Sequence, residues 1–133
     1  MRRHRPRIDK NTERAVYEIL RSKAKTTIYI YLLKKNGARA EEIIRGTKLH
    51  PSTVRELLSK MYEQQLIYRE KIKNHSIGKN PYMYHPIPPI HLLKKHVGEI
   101  EDRLNRIASL GRNIGKDRSN RCVRIKIYEQ VET

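Results

Sequence analysis

The chain has 133 residues, of which 30 are Lys or Arg and 14 are Asp or Glu, giving a formal net charge of +16. That length excludes a large multidomain assembly and leaves room for one domain, or a small domain with an extension. Such a charge excess opposes compaction by self-repulsion, so a polyanion is the simplest partner, nucleic acid first and an anionic membrane surface second; no apolar run approaches the roughly 20 residues that span a bilayer.

Residues 1–10, MRRHRPRIDK, read as a basic arm. They lack the apolar segment that follows the basic start of a secretory signal. The arm can lie along phosphates or in a minor groove, or be only a solubilising tail. Asn11 or Thr12 is suited to cap a first helix running to about Ser22, with Ala15, Val16, Ile19 and Leu20 as its apolar set. A second helix is predicted to begin near Thr26 or Thr27 and to stop at Asn36-Gly37. Its run IYIYLL resembles a strand, but the Lys34-Lys35-Asn36-Gly37 exit favours helix. After an extended link, Ala38-Arg39-Ala40, a third helix is expected from about Glu41 to Gly46, with Ile43 and Ile44 inward.

The stretch from His50 to Leu66, HPSTVRELLSKMYEQQL, reads as a fourth helix. Pro51 suits a first helical position, and Ser52 and Thr53 can satisfy free backbone N–H groups. Val54, Leu57, Leu58 and Met61 recur at the spacing of one face. Ser52, Thr53, Arg55, Glu56, Ser59 and Lys60 occupy the other. An ordinary amphipathic helix with a solvated face would look the same, so the flanking sequence has to decide. Two helices joined through Thr47–His50, the second polar outward, make a helix-turn-helix.

Leu66 to Ile72, LIYREKI, reads as a strand. Lys73 to Asn80 reads as a basic hairpin loop, and Pro81 to Pro86 as a returning strand with prolines at its ends. This order of elements is the winged-helix pattern. From Pro89 a helix is predicted to run to Leu110. Ile90, Leu93, Val97, Ile100, Leu104 and Ile107 follow one another in alternating steps of three and four, an a/d seam over about three heptads. So narrow a seam needs another helix, either the chain's own first helix or, as preferred here, that of a partner subunit. Gly111 to Arg121 reads as a polar loop. Residues 123–128, VRIKIY, alternate like a half-buried strand that must join a sheet.

Other chemistry is sparse. Cys122 is the one cysteine, so an intrachain disulfide is impossible and a cysteine-based zinc site is not expected. A low thiol pKa beside basic residues would suit redox sensing, but a passive cysteine is the favoured reading. The six histidines, His4, His50, His75, His85, His91 and His96, include no pair at helical three- or four-residue spacing. No phosphate-cradling glycine loop and no nucleophile–base pair is evident, so neither a metal, a cofactor nor an enzyme is expected. Many Lys, Arg, Glu, Ile and Tyr with few Gln are a composition found in thermophiles.

From Thr27 to Leu110 the chain resembles the winged-helix domain of archaeal transcriptional regulators, the TrmB-type sugar-sensing regulators and the small crenarchaeal Lrs-like regulators. The Ser-Thr-Val start of the fourth helix and the Tyr-to-Pro-Pro exit of the wing, in NPYMYHPIPP, carry the likeness. They are shared with multidrug- and metal-responsive winged-helix groups. The resemblance implies that the helix from Ser52 to Gln65 reads the major groove. It further implies that Lys73–Asn80 is the wing, touching backbone or minor groove, and that the helix after Pro89 forms a dimer. TrmB-type proteins carry a large C-terminal sugar domain. This sequence stops soon after its seam helix, so sugar sensing is not expected to carry over.

The expected fold is mainly α with a small β-wing. It comprises a basic arm (1–10), a winged helix-turn-helix (11–87), a C-terminal coiled-coil dimerisation helix (88–110), and a basic loop and strand (111–133). The expected function is a homodimeric, sequence-specific regulator of transcription on double-stranded DNA, cytoplasmic and nucleoid-associated, without an evident small-molecule effector. The alternative is an architectural nucleoid protein with little sequence preference; a third reading uses the winged helix for protein contacts. Arg55 is the first choice for a base contact, because a guanidinium can bind guanine in a bidentate way. Ser52, Thr53 and Ser59 are expected to contact phosphates or bases from the same helix, and Glu56 and Lys60 complete its DNA-binding set. Arg69, Lys71, Lys73, Asn74, His75 and Lys79 are expected along the phosphates.

Overall fold

Capping at the helix starts sets the frame of the molecule, whose computed structural model describes residues 7–72, 82–111, 122–128 and 130. The described elements run α1 (Lys10–Leu20), α2 (Lys23–Lys35), β1 (Ala38–Arg39), α3 (Ala40–Thr47), α4 (Pro51–Glu63), β2 (Ile67–Lys71), β3 (Tyr82–Pro86) and α5 (Pro89–Leu110). The architecture is mostly helical with a small antiparallel sheet, a winged helix. The chain divides into two compact units, Met1–Ile87 and Pro88–Thr133.

α1 starts earlier than expected. Asp9, not Asn11 or Thr12, is its cap, with Oδ1 accepting the Thr12 N–H at 2.7 Å. Hydrogen bonds from the Thr12 backbone and then its hydroxyl hold the Asp9 carboxyl below its ordinary pKa. Likewise Ser22 caps α2 by accepting the Lys25 N–H at 3.2 Å. Thr26 and Thr27 are interior to the first turn, and their hydroxyls donate back to the carbonyls of Ser22 (2.8 Å) and Lys23 (2.9 Å). A hydroxyl bonded to the carbonyl four residues earlier is not free to cap.

α2 is the central helix. Ile28, Tyr29, Ile30 and Leu32 are all buried, which is why IYIYLL shows no clean amphipathic stripe. Tyr29 is wholly enclosed, its hydroxyl donating to the Ile87 carbonyl at 2.7 Å. Burial pushes its phenol up to about 12. α2 ends with Asn36 left-handed (φ 56) and Gly37 at φ +109. A Cβ at Gly37 would come within 2.6 Å of the His85 ring, so the chain needs glycine there for both backbone and space.

The expected link at Ala38-Arg39 is a strand, and helix begins at Ala40. Two residues are too few to display alternation. β1 pairs with β3, Ala38 opposite Tyr84, and β3 pairs with β2, Ile67 opposite Pro86 and Lys71 opposite Tyr82, in the order β1-β3-β2. Ile67 and Tyr84 share the face turned to the core, where Ile43, Val54, Leu58 and Met61 from α3 and α4 are also buried. On the other face Tyr68 stacks on His85 at 5.0 Å.

In the second unit α5 runs from Pro89 to Leu110 as the spacing predicts, and Leu92, off the seam, is its buried residue. Residues 122–128 are neither helix nor strand. They lie along α5 through side chains. Asn105 accepts the Val123 N–H (2.6 Å) and donates to the Val123 carbonyl (3.2 Å), and Glu101 accepts the Ile125 N–H (3.1 Å). The expected sheet strand is therefore absent here, because one carboxamide supplies the donor and acceptor that a neighbouring strand would offer.

Candidate nucleic-acid interface

α3 and α4 form the helix-turn-helix around a three-residue connection. α3 opens with Glu42 reaching back to accept the Arg39 N–H at 3.1 Å and Nε at 3.3 Å. Tyr31 of α2 locks α3 from behind, its hydroxyl donating to the Glu42 carbonyl at 3.0 Å. The connection turns at Lys48, left-handed at φ 60. α4 then starts at Pro51, but its cap is neither Ser52 nor Thr53. The His50 Nδ1 accepts the Ser52 N–H at 3.2 Å and lies 2.7 Å from the Ser52 hydroxyl. A backbone N–H can only donate, so this contact puts the His50 ring proton on Nε2.

Val54, Leu58 and Met61 face the core, so the opposite side of α4 is turned out. Ser52, Arg55, Glu56, Ser59 and Lys60 are exposed there, and Thr53 is half-buried at the edge. Glu56 and Lys60 pair with each other at 3.1 Å across one helical turn. Both are exposed, so this pair contributes little to stability, but it leaves Arg55 as the cation on this face without a carboxylate partner among the described residues. Arg69 and Lys71 lie on β2, both exposed. The remaining predicted contacts, Lys73, Asn74, His75 and Lys79, fall outside the described residues.

Two residues that sequence reasoning passed over stand beside Arg69. Its guanidinium carbon is 4.0 Å from the centroid of the Tyr62 ring and 4.3 Å from that of Tyr82. Tyr62 was legible in principle, since positions 52, 55, 59 and 62 form one stripe on α4. Tyr82 was not, because the strand pairing that brings it near is long-range. Lys25 also escaped notice; its Nζ donates to Gln64 Oε1 at 2.9 Å and ties the start of α2 to the end of α4.

On α5, Ile90 (41%), Leu93 (41%), Leu104 (39%) and Ile107 (64%) are exposed in the single chain, while Val97 and Ile100 are half-buried. Among the described residues no group of histidine, cysteine and carboxylate side chains is placed to hold a metal, and no helix is long and apolar enough to cross a membrane.

Comparison with known proteins agrees with this geometry. A family model described as the sugar-specific transcriptional regulator TrmB matches residues 22–90, just over half of the chain and inclusive of α2 through β3. No curated protein matches significantly. A solved structure of a possible transcriptional regulator from Methanosarcina mazei Go1 is similar in fold, with a TM-score of 0.58 at 18% identity. The match covers 86% of this chain and all of that one.

Proposed function

Because the chain belongs to the TrmB family of transcriptional regulators, we propose that it binds double-stranded DNA as a homodimer and selects its sites by sequence. One observation carries the reading: a helix-turn-helix whose second helix turns outward the hydroxyls of Ser52 and Ser59 and an Arg55 without a carboxylate partner among the described residues, in a chain of net charge +16. Arg55 would contact base edges, with Ser52, Thr53, Ser59 and Lys60 beside it and Glu56 holding Lys60 in place. Arg69, Lys71, Lys73, His75 and Lys79 would neutralise phosphates, and Asn74 would donate a hydrogen bond to the DNA beside them. The family's sugar specificity is not carried over, since the matched residues are those of the helix-turn-helix and wing.

The dimer reading is supported by the exposed aliphatic seam of α5. Six residues in alternating steps of three and four repeat at the coiled-coil period, and exposed Ile and Leu side chains on that line gain from burial against a second copy. A two-fold dimer sets its half-sites one helical turn apart, or a multiple of that.

Selection of bound fragments from random duplexes, followed by competition in a gel shift, tests the proposal. The selected site is expected to be preferred over random duplex by roughly a thousandfold or more. Arg55→Ala is expected to reduce that preference by about ten- to a hundredfold while leaving non-specific binding nearly intact. Equal competition by random DNA would instead favour the architectural alternative.

A further inference from the structure

Arg69 is held in an unusual way for a surface cation. Its guanidinium carbon lies over two tyrosine rings, 4.0 Å from the centroid of Tyr62 and 4.3 Å from that of Tyr82, and the two come from separate elements, the end of α4 and the start of β3. No carboxylate lies within ion-pair distance of its guanidinium among the described residues. The residue is nevertheless solvent-exposed. A guanidinium carries its donors in its own plane. Packed against two rings and still exposed, the guanidinium keeps N–H groups available at the geometry a phosphate or carboxylate accepts in a bidentate contact.

The position of the stack identifies which anion. Tyr62 continues the outward stripe of Ser52, Arg55 and Ser59 on α4. Arg69 therefore sits where the groove-facing side of that helix passes into the wing strands. On the DNA-binding reading, a duplex lying along that stripe would bring a sugar–phosphate backbone to its border, beside Arg69.

We infer that Tyr62, Arg69 and Tyr82 form a preorganised phosphate clamp. Arg69 grips one backbone phosphate of the DNA edge-on, and the two tyrosines fix the guanidinium before DNA arrives. The inference rests on the DNA-binding reading above and adds to it the division of labour. Arg69 touches the phosphate; Tyr62 and Tyr82 are positioning residues that touch Arg69. Because most of the ordering of a long side chain is done in the free protein, binding loses less rotamer freedom than at an unsupported lysine. A phosphate contact carries no sequence information, so the clamp adds equally to specific and non-specific binding.

Arg69→Gln separates the roles, because glutamine keeps a planar group that can rest against the rings but carries no charge. DNA affinity is measured at several salt concentrations, on the selected site and on random duplex, for the wild-type chain, Arg69→Gln, Arg69→Lys and the double variant Tyr62→Leu, Tyr82→Leu. Thermal unfolding of each is followed alongside. The expected result is that Arg69→Gln lowers the slope of log affinity against log salt by about 0.9 per protomer, and weakens both duplexes about tenfold and alike. Arg69→Lys is expected to keep most of the slope yet bind several-fold more weakly, as is the double tyrosine variant. If the wild type binds DNA but Arg69→Gln leaves slope and affinity unchanged, the clamp is overturned and the stack only braces the wing. Loss of thermal stability without a change in slope would overturn it too. If the wild type binds no duplex at any salt, the DNA-binding reading itself falls.

Discussion

At Gly46 and Tyr29 single atoms decide the outcome. Gly46 lies under the Tyr31 ring, and a Cβ added there would collide with that ring. Alanine is the better helix former by about 1 kcal/mol, yet Tyr31 is fixed by its bond to the Glu42 carbonyl and cannot easily yield. Gly46→Ala is therefore expected to destabilise the fold by about 1–3 kcal/mol in urea titration; a gain in stability would show that Tyr31 moves freely. Tyr29 provides a pH test. Its folded pKa of about 12 stands above the ordinary value of 10.0, so folding favours the neutral phenol. That contribution is complete below about pH 10 and is lost as pH rises towards 12. Stability of the wild type is expected to fall more steeply over that window than that of Tyr29→Phe, measured by denaturant melts at successive pH values. Equal slopes would mean that Tyr29 ionises as freely folded as unfolded. Neither residue was legible as special in the sequence. Gly46 read only as the end of a short helix and Tyr29 only as part of the run IYIYLL, because the partner of each is set by helix packing.

Among the elements, the existence and order of the helices were legible and their first residues were not. Periodic apolar spacing marked α4 and α5 correctly, and the Asn36-Gly37 stop marked the end of α2. Capping went to Asp9, Ser22 and His50 instead of the residues expected. Several nearby side chains were chemically able to cap, and only backbone direction chooses among them. The turn of the helix-turn-helix gives a prediction of its own. Lys48 adopts φ 60, a conformation that costs a residue with a Cβ about 1 kcal/mol relative to glycine. Lys48→Gly is expected to raise stability by up to about 1 kcal/mol in a thermal or urea melt. A loss would mean that the lysine side chain, not the backbone, holds the turn. Residues 122–128 show the converse error. Alternation of Val123, Ile125 and Ile127 with Arg124 and Lys126 suggests a strand, but alternation cannot say whether the backbone groups meet a strand or, as here, Asn105 and Glu101.

For the molecule as a whole, the predictions concern assembly. Placing a carboxylate on the α5 seam leaves the monomer little changed, since Ile107 is 64% exposed there, but it would bury a charge in a two-stranded interface. Ile107→Glu is expected to shift light-scattering mass from dimer to monomer and to weaken operator binding in step, since a two-fold site needs paired reading helices. An unchanged dimer mass would place the interface elsewhere, and a monomer mass for the wild type would remove the proposed dimer. Sequence alone determined the charge, the succession of helices with the two wing strands between α4 and α5, and the outward polar stripe of α4, because periodicity and composition are written along one dimension and need only the local geometry of helix and strand. Tertiary structure alone decided which side chains cap, which tyrosine is sealed and which lies against a glycine. It also brought Arg69 of β2 against both Tyr62 and Tyr82. Those partners stand on different elements, and a side chain's surroundings are fixed only when the packed core has set the distances between them.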